Sequence, residues 1–344
     1  MRRGRGLARV FALMLALAAP PLLHAQSLST QVPSTEALAE QVRAWLDTGD
    51  LSTLLTEVDS HALADEAGLD AAAASVIRRM QVQLRSQLGG QRFHRARVYE
   101  HAGNVRVRLD LSPEGLGWLT LDADPESGVL RGWQDHALGV SLAQLVADMA
   151  TFAEDRRGRR FLDRLEAEPL EAWRQLPAAR QDAAAARLLL LSCASAGCYE
   201  EALIRLDARD SERSAPALWQ LDVAVLSRDW RRFDQVHRAL HAHLGDDPAL
   251  VMLAAQAAVA RDDCPRALSL AQPAQARWPD YPGLYPLLAQ CLVQTGDYGA
   301  ALSVFDAMES RFGTQIDWAA MARHPLYSRL VESDEYRRWQ DQKP

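Results

Sequence analysis

The sequence predicts an α+β module, in which helices pack on an antiparallel meander sheet, followed by an all-α region built from repeated helix pairs. Three observations predict this order. Apolar and polar residues alternate between residues 92 and 135, as at Val105, Val107 and Leu109 with arginines between them. On both sides of that region, apolar residues recur every three or four positions, which is typical of amphipathic helices. From residue 183 a helix-turn-helix pattern also recurs at a nearly constant interval.

Composition places the chain among folded proteins of about two domains. Its 344 residues are 48% hydrophobic and 24% charged, which is enough apolar material for real cores. The formal charge is −7, and without the four arginines of residues 1–25 the chain has 34 basic against 45 acidic residues. An acidic chain is a poor match for polyanions, so no nucleic-acid partner is expected.

Residues 1–25 have the anatomy of a secretory signal peptide. Four arginines precede an uncharged apolar stretch at 10–19, and Ala25 completes an acceptable cleavage site. The alternative, a membrane anchor, is disfavoured because the apolar stretch is too short to cross a bilayer. We therefore expect a periplasmic or secreted protein with no integral membrane span, preceded by a polar tether at 26–34.

The predicted elements of the first module are three helices and then about four strands. Residues 35–48 have apolar positions every four residues, and the Thr48-Gly49-Asp50 turn ends that helix. The other predicted helices are 51–58 and about 70–87. The alternation predicts half-buried strands, each with one solvated polar face. Turn residues separate these strands, which are 92–101, 105–111, 116–123 and 129–135.

The helical region contains a repeat. The aligned residues Ala202, Phe233, Ala267 and Ala301 are 31, 34 and 34 positions apart. This spacing resembles that of the tetratricopeptide repeat family, with about four copies over 183–313. The resemblance implies an α-solenoid in which small residues let paired helices approach closely.

The predicted domain organisation follows from these patterns. Residues 141–152 and 159–176 are expected to be helices that bridge the module and the repeats. The expected regions are a signal peptide at 1–25, a tether at 26–34, the α+β domain at 35–140, bridging helices at 141–182, repeats at 183–313 and capping helices at 314–344.

Trp133-Gln134-Asp135, with Gly139 and Ser141 downstream, resembles the end of the sheet in the nuclear-transport-factor-like cone fold. That resemblance implies a curved sheet enclosing a pocket, which some members use for isomerase or dehydratase chemistry. Turn polar groups and core aromatics are the alternative interpretation of the same residues. The candidate pocket residues are Tyr99, Trp118, Trp133 and Asp135.

No motif indicates a reaction. The chain has no GxSxG elbow, phosphate-binding loop, GxGxxG or CxxC sequence. His237 and His241 stand one helical turn apart, but histidines near a helix end are usually solvated. We expect no cofactor and no bound metal, assign no catalytic residue, and leave enzymatic activity open with more weight against it.

All four cysteines lie in the repeat region. An even count suits an oxidising compartment and allows three pairings, whereas buried free thiols are the alternative. Gly197 interrupts the helix between Cys193 and Cys198, so that turn predicts a short-range bridge between them. Cys264 and Cys291 would form the other bridge.

The tetratricopeptide resemblance also implies a binding groove, because the first helix of each pair lines the concave side in that family. A non-catalytic scaffold or adaptor that binds a protein or peptide segment is therefore expected. Alternatives are a small-ligand binder or enzyme using the N-terminal pocket, a structural bridge in which the repeats only orient the N-terminal module, and a groove filled by the chain's own C-terminal helices. The groove residues carried over are Leu191, Leu218, Asp222, Val225, Met252, Gln256, Val259, Gln290 and Val293.

Overall fold

The computed structural model describes residues 35–46, 57–70, 73–74, 77–78, 93–111, 115–124, 129–165, 167–210 and 215–342. The predicted signal peptide and tether lie outside these residues. The chain divides into two compact units, Met1–Val236 and His237–Pro344. No helix among the described residues combines the length and apolar character that crossing a bilayer requires.

The predicted antiparallel meander is confirmed as a five-stranded sheet with strands in sequence order. The fifth strand is a two-residue addition to the predicted four. The β1–β2 hairpin turns through Ala102 and Gly103, both at positive φ, which is the backbone of a tight two-residue turn. The strands are β1 Phe93–His101, β2 Asn104–Leu111, β3 Gly115–Ala123, β4 Leu130–Asp135 and β5 Val140–Ser141.

The two faces of the sheet differ in chemistry. Val107 pairs with Val98 and Leu119, and this face forms the hydrophobic core of the first unit. The opposite face carries arginines, but the prediction that they are solvated is wrong, since Arg106 and Arg108 are each only 4% exposed. The alternation identified the strand correctly. Burial of its polar face depends on tertiary packing, which a period-two pattern does not report.

Among the described residues, two helices that precede the sheet pack on its apolar face. Helix α1 (Thr35–Leu46) packs on β1 and β2 through residues spaced four apart, as predicted. Helix α2 (Ser60–Glu66) starts at Asp59, whose carboxylate accepts hydrogen bonds from two backbone N–H groups of its first turn. The predicted helices at 51–58 and 70–87 lie largely outside the described residues.

Three helices follow the sheet, where the sequence predicted two. Pro169 has no N–H and begins a new helix, so the predicted helix at 159–176 is divided. Gly139, at φ 78°, turns the chain between β4 and β5, and a Cβ there would lie 3.0 Å from the Cβ of Ala217. The helices are α3 Leu142–Ala153, α4 Arg156–Leu165 and α5 Pro169–Gln175.

The first unit continues into helix pairs. A single hydrophobic core extends from α1 through the sheet to Leu203 and Trp219, so residues 35–140 share their core with later helices. The Trp219 indole N–H donates to the Leu138 carbonyl at 3.2 Å. Helix α6 (Ala183–Ala196) packs on α7 (Tyr199–Asp210), which in turn contacts α8 (Leu218–Leu226). Helix α9 (Trp230–Leu244) follows, and the first unit ends within it.

The second unit is helical throughout its regular structure, as predicted. Its longer helices are α10 Pro248–Val259, α11 Cys264–Arg277, α12 Tyr285–Thr295 and α13 Tyr298–Phe312. Helices α7, α9, α11 and α13 begin at residues 199, 230, 264 and 298, which keeps the interval seen in the sequence. The C-terminal segment forms three short helices, α14 Trp318–Arg323, α15 Ser328–Glu332 and α16 Asp334–Gln342.

Candidate functional site

Within the first unit, the predicted groove residues differ in accessibility. Leu191 is buried in the core, so no partner can contact it in this conformation. Leu218, Asp222 and Val225 are half-buried along α8. The Tyr199 hydroxyl donates to the Asp222 carboxylate at 2.8 Å, which fixes the direction of that acid. Helix α8 therefore presents two apolar side chains and one oriented carboxylate.

In the second unit, too, some predicted groove residues are buried and others are accessible. Met252 and Val293 are buried. Tyr281 places its hydroxyl 3.6 Å from the Met252 sulfur, and a Cβ at Gly283 would lie 2.6 Å from that sulfur. These two predicted groove residues are therefore inner packing groups. The accessible members of the set are Gln256, Val259 and Gln290, all half-buried.

Gln256 and Gln290 occupy equivalent positions on α10 and α12, two helices that pack against each other. The Gln256 side-chain oxygen is buried and has no hydrogen-bond partner within the part of the chain that the structure describes. A carboxamide both donates and accepts hydrogen bonds, as a peptide backbone does. Gln290 could pair with the main chain of an extended segment as it stands, and Gln256 could do so once its carboxamide rotates outward.

The polar face of the sheet carries a buried hydrogen-bond chain. Arg106 Nη1 donates to Thr120 Oγ1 at 2.5 Å, and the same oxygen lies 2.6 Å from His136 Nε2. Because arginine can only donate, the threonine hydroxyl accepts that bond and can direct its own proton to the imidazole. Trp118 is fully buried on this face, outside the apolar core cluster.

The four candidate pocket residues do not form one constellation. Tyr99 pairs with Arg106 in the strand register and shares the polar face with Trp118. Trp133 and Asp135 pair with Leu121 and Leu119, which places them on the apolar face. The predicted pocket is thus divided by the sheet itself, since side chains on one strand alternate between its faces.

Asp135 is a buried carboxyl at the end of β4. Its Oδ1 accepts hydrogen bonds from the backbone N–H groups of Ala137 at 2.7 Å and Leu138 at 3.2 Å. Its Oδ2 has no partner among the described residues. Burial raises the pKa of Asp135 to about 6, and the two N–H donors limit that rise. The group shapes the turn that follows β4 and titrates near neutral pH.

Cys193 and Cys198 form a disulfide, with their Cα atoms 4.7 Å apart across the turn at Gly197. Cys264 and Cys291 form the second bridge, with a Cα separation of 5.1 Å. The first bridge ties helix α6 to the start of α7, and the second ties α11 to α12. No cysteine among the described residues remains available as a nucleophile.

Two cavities of opposite charge lie in the first unit. One, of about 630 Å³, is lined by acids including Asp122 and Glu66, and burial together with Asp122 raises the pKa of Glu66. Within the described ranges, no group of three or more histidine, cysteine or acidic side chains could hold a metal ion.

The other cavity is lined by arginines of α4 and was missed in the sequence-based assignment. The signal that could have found it is the run of four arginines at 156–160, which stands out in an acidic chain.

Comparison with known proteins gives no relative, since no family model, curated protein or solved structure matches the chain.

Proposed function

We propose that this chain is a non-catalytic interaction protein whose repeated helix pairs bind an extended, largely apolar segment of a partner protein. The observation that carries the proposal is the pair of amides at Gln256 and Gln290, at equivalent positions of neighbouring helices. Amides in this arrangement would bond the backbone of the segment, and Val259, one turn after Gln256, would contact its apolar side chains. The tetratricopeptide-like spacing supports this assignment.

The first unit has a separate candidate contact surface on α8. Leu218 and Val225 offer apolar contact, and the Asp222 carboxylate, oriented by Tyr199, would accept a hydrogen bond from the partner's backbone or a cationic side chain. Leu226, at the end of the same helix, is 45% exposed and would extend the apolar surface. Central apolar contacts of this kind are each worth about 1–3 kcal/mol when a partner buries them.

We place this activity in the periplasm or outside the cell. Two disulfides support an oxidising compartment, because such bridges persist outside the cytoplasm and are rare inside it. The signal-peptide pattern of residues 1–25 supports the same placement.

The test begins with affinity capture of the tagged mature protein from an envelope extract, followed by overlapping peptides that map the bound segment. The Gln256→Ala, Gln290→Ala double variant should then bind the mapped peptide at least tenfold more weakly. Gln272→Ala, Gln275→Ala is the matched control, because it removes two amides from α11, the second helix of the pair, where Gln272 is exposed and Gln275 half-buried.

The control should remain within twofold of the wild-type affinity, with unchanged circular dichroism in both variants. Equal affinity of the two double variants for the mapped peptide would reject the amide pair as the binding element.

A second candidate function is small-ligand binding at the polar face of the sheet. The hydrogen-bond chain from Arg106 through Thr120 to His136 favours this function. It places a guanidinium, a hydroxyl and an imidazole on the same face of the sheet as the buried Trp118. Native mass spectrometry of the purified protein tests it. A co-purified small molecule that Thr120→Val removes would support this function, and an unliganded spectrum would argue against it.

A further inference from the structure

A cavity of about 370 Å³ lies between helices α4 and α5. Its charged lining consists of Arg157, Arg160 and Arg164, with the Gln175 amide opposite. Phe161 and Leu176 contribute an apolar floor, and both are buried. A volume of this size falls in the range of small-molecule sites, which combine apolar walls with a few placed polar groups.

The helix that carries the arginines is held firmly at its start. Asp155 Oδ1 accepts hydrogen bonds from the N–H groups of Arg157 at 2.7 Å and Gly158 at 2.8 Å. A Cβ at Gly158 would overlap the Phe152 carbonyl oxygen, so only glycine allows this close approach to the end of α3. Arg159 points elsewhere and donates to the Ala153 carbonyl at 2.8 Å. The backbone that aims the arginines is therefore pre-organised.

The three lining arginines share one helix face, because positions three and four residues apart lie above one another. Arg164 is compensated by Glu168 and also donates to Gln175. Arg157 and Arg160 form no ion pair with any acid in the described part of the chain. Two like charges a turn apart repel each other, so the cavity has an unbalanced positive potential within an acidic protein.

We propose that this cavity binds an oxyanion, a carboxylate or a phosphate, attached to an apolar body. Guanidinium groups match both anions by paired N–H donors, and Arg157 and Arg160 would supply them. Gln175 accepts from Arg164 and donates to Glu171 at 3.0 Å, so its amide positions the third arginine. The floor at Phe161 and Leu176 would contact the apolar part of the ligand. The site belongs to the first unit and does not depend on the proposed peptide groove.

Isothermal titration of the full mature protein with octyl phosphate and with octanoate tests the proposal. At least one should bind, and more tightly than inorganic phosphate, while octyltrimethylammonium should not bind. Arg157→Gln, Arg160→Gln should weaken binding at least tenfold. The matched control is Arg156→Gln, an exposed arginine of the same helix outside the cavity lining, and its affinity should stay within twofold.

The same two variants distinguish the source of the anion. Binding of a free octyl probe assigns a soluble acidic ligand. A lipid headgroup would be assigned if the protein co-sediments with phosphatidylglycerol vesicles and not with phosphatidylcholine vesicles. Only the double variant should then lose this co-sedimentation, and Arg156→Gln should keep it. Arg157→Lys, which keeps the charge and loses the paired donors, should bind with intermediate affinity. Binding of neither form of anion, or equal losses in the double variant and the control, overturns the proposal.

Discussion

Two regions of the first unit bury charge in opposite ways. Arg187 is enclosed between two acids: its Nε and Nη2 donate to Asp148 at 3.0 and 2.9 Å, and its Nη1 donates to Asp210 at 3.1 Å. Asp135, at the end of β4, is fully buried, and within the described part of the chain its side chain accepts hydrogen bonds only from two backbone N–H groups. A cluster in which each charged side chain meets an opposite charge, here called matched, offsets the cost of burial, whereas a buried carboxyl without a cation resists ionisation.

The matched cluster also joins parts of the chain that are distant in sequence. Asp148 lies on α3, Arg187 on α6 and Asp210 on α7, so the three side chains connect the helices after the sheet with the first helix pair. Gln144 donates a further hydrogen bond to Asp148 at 2.8 Å. Every charged group in the cluster has a partner, and this accounts for its burial.

The largest expected effect on stability comes from removing the arginine of this charge cluster. Arg187→Met would leave two buried carboxylates without their cation, and we expect a loss of about 3–5 kcal/mol in the free energy of unfolding. Urea unfolding at neutral pH measures it. Arg174→Met is the control, because Arg174 pairs with Glu171 at the surface and should change stability by less than about 1 kcal/mol.

A triple variant sharpens the test. Arg187→Met combined with Asp148→Leu and Asp210→Leu removes all three charges, and it should recover most of the lost stability because no buried charge remains. A loss below about 1 kcal/mol in Arg187→Met alone would contradict the view that the arginine neutralises buried acids.

The sequence predicted the helices that carry this cluster but not the cluster. Arg187 is 39 residues from Asp148 and 23 from Asp210, and neither interval has a local signature. The same limit applies to Arg106 and Arg108, whose strand was predicted while their burial was not. Periodicity reports which face of an element is apolar. It does not report what packs on the other face.

The predicted groove and the arginine cavity differ in what the sequence could reveal about them. The repeat spacing predicted helices in the second half of the chain, yet Leu191, Met252 and Val293 are buried, because a helix packed against its neighbours shows little of its surface. Arg157 and Arg160 were overlooked, although the basic run that contains them stands out in the acidic sequence. Their arrangement around a cavity required Gly158 and the break before α4.

A smaller effect is expected at the unmatched carboxyl, and it depends on pH. The pKa of Asp135 rises from 3.8 to about 6 on folding, so the folded state holds this proton more tightly. The resulting stabilisation is complete below pH 3.8 and is lost as the pH rises through about 6. A shift of this size corresponds to roughly 3 kcal/mol between the two limits.

Asp135→Asn should remove that dependence. The asparagine keeps an oxygen for the N–H groups of Ala137 and Leu138 but cannot ionise. The difference in the free energy of unfolding between the variant and the wild type should shift in favour of the variant by about 1–3 kcal/mol as the pH rises from roughly 4 to roughly 7.5. Urea unfolding across that range provides the comparison, and parallel stability profiles for the two proteins would show that Asp135 does not ionise with a raised pKa.

The smallest effect on stability is expected at the arginine cavity, which completes the comparison between matched and unmatched charge. Arg157 and Arg160 are exposed side chains on one helix face, so water solvates their guanidinium groups and no buried charge is left behind when they are removed. Arg157→Gln, Arg160→Gln also relieves repulsion between two like charges, which is worth about 0.2–0.5 kcal/mol for a pair on a helix. Its free energy of unfolding should therefore lie within about 0.5 kcal/mol of the wild type in low salt. A loss of several kcal/mol would instead place these arginines among the groups that hold the fold, because only a charge that the folded chain relies on costs that much to remove.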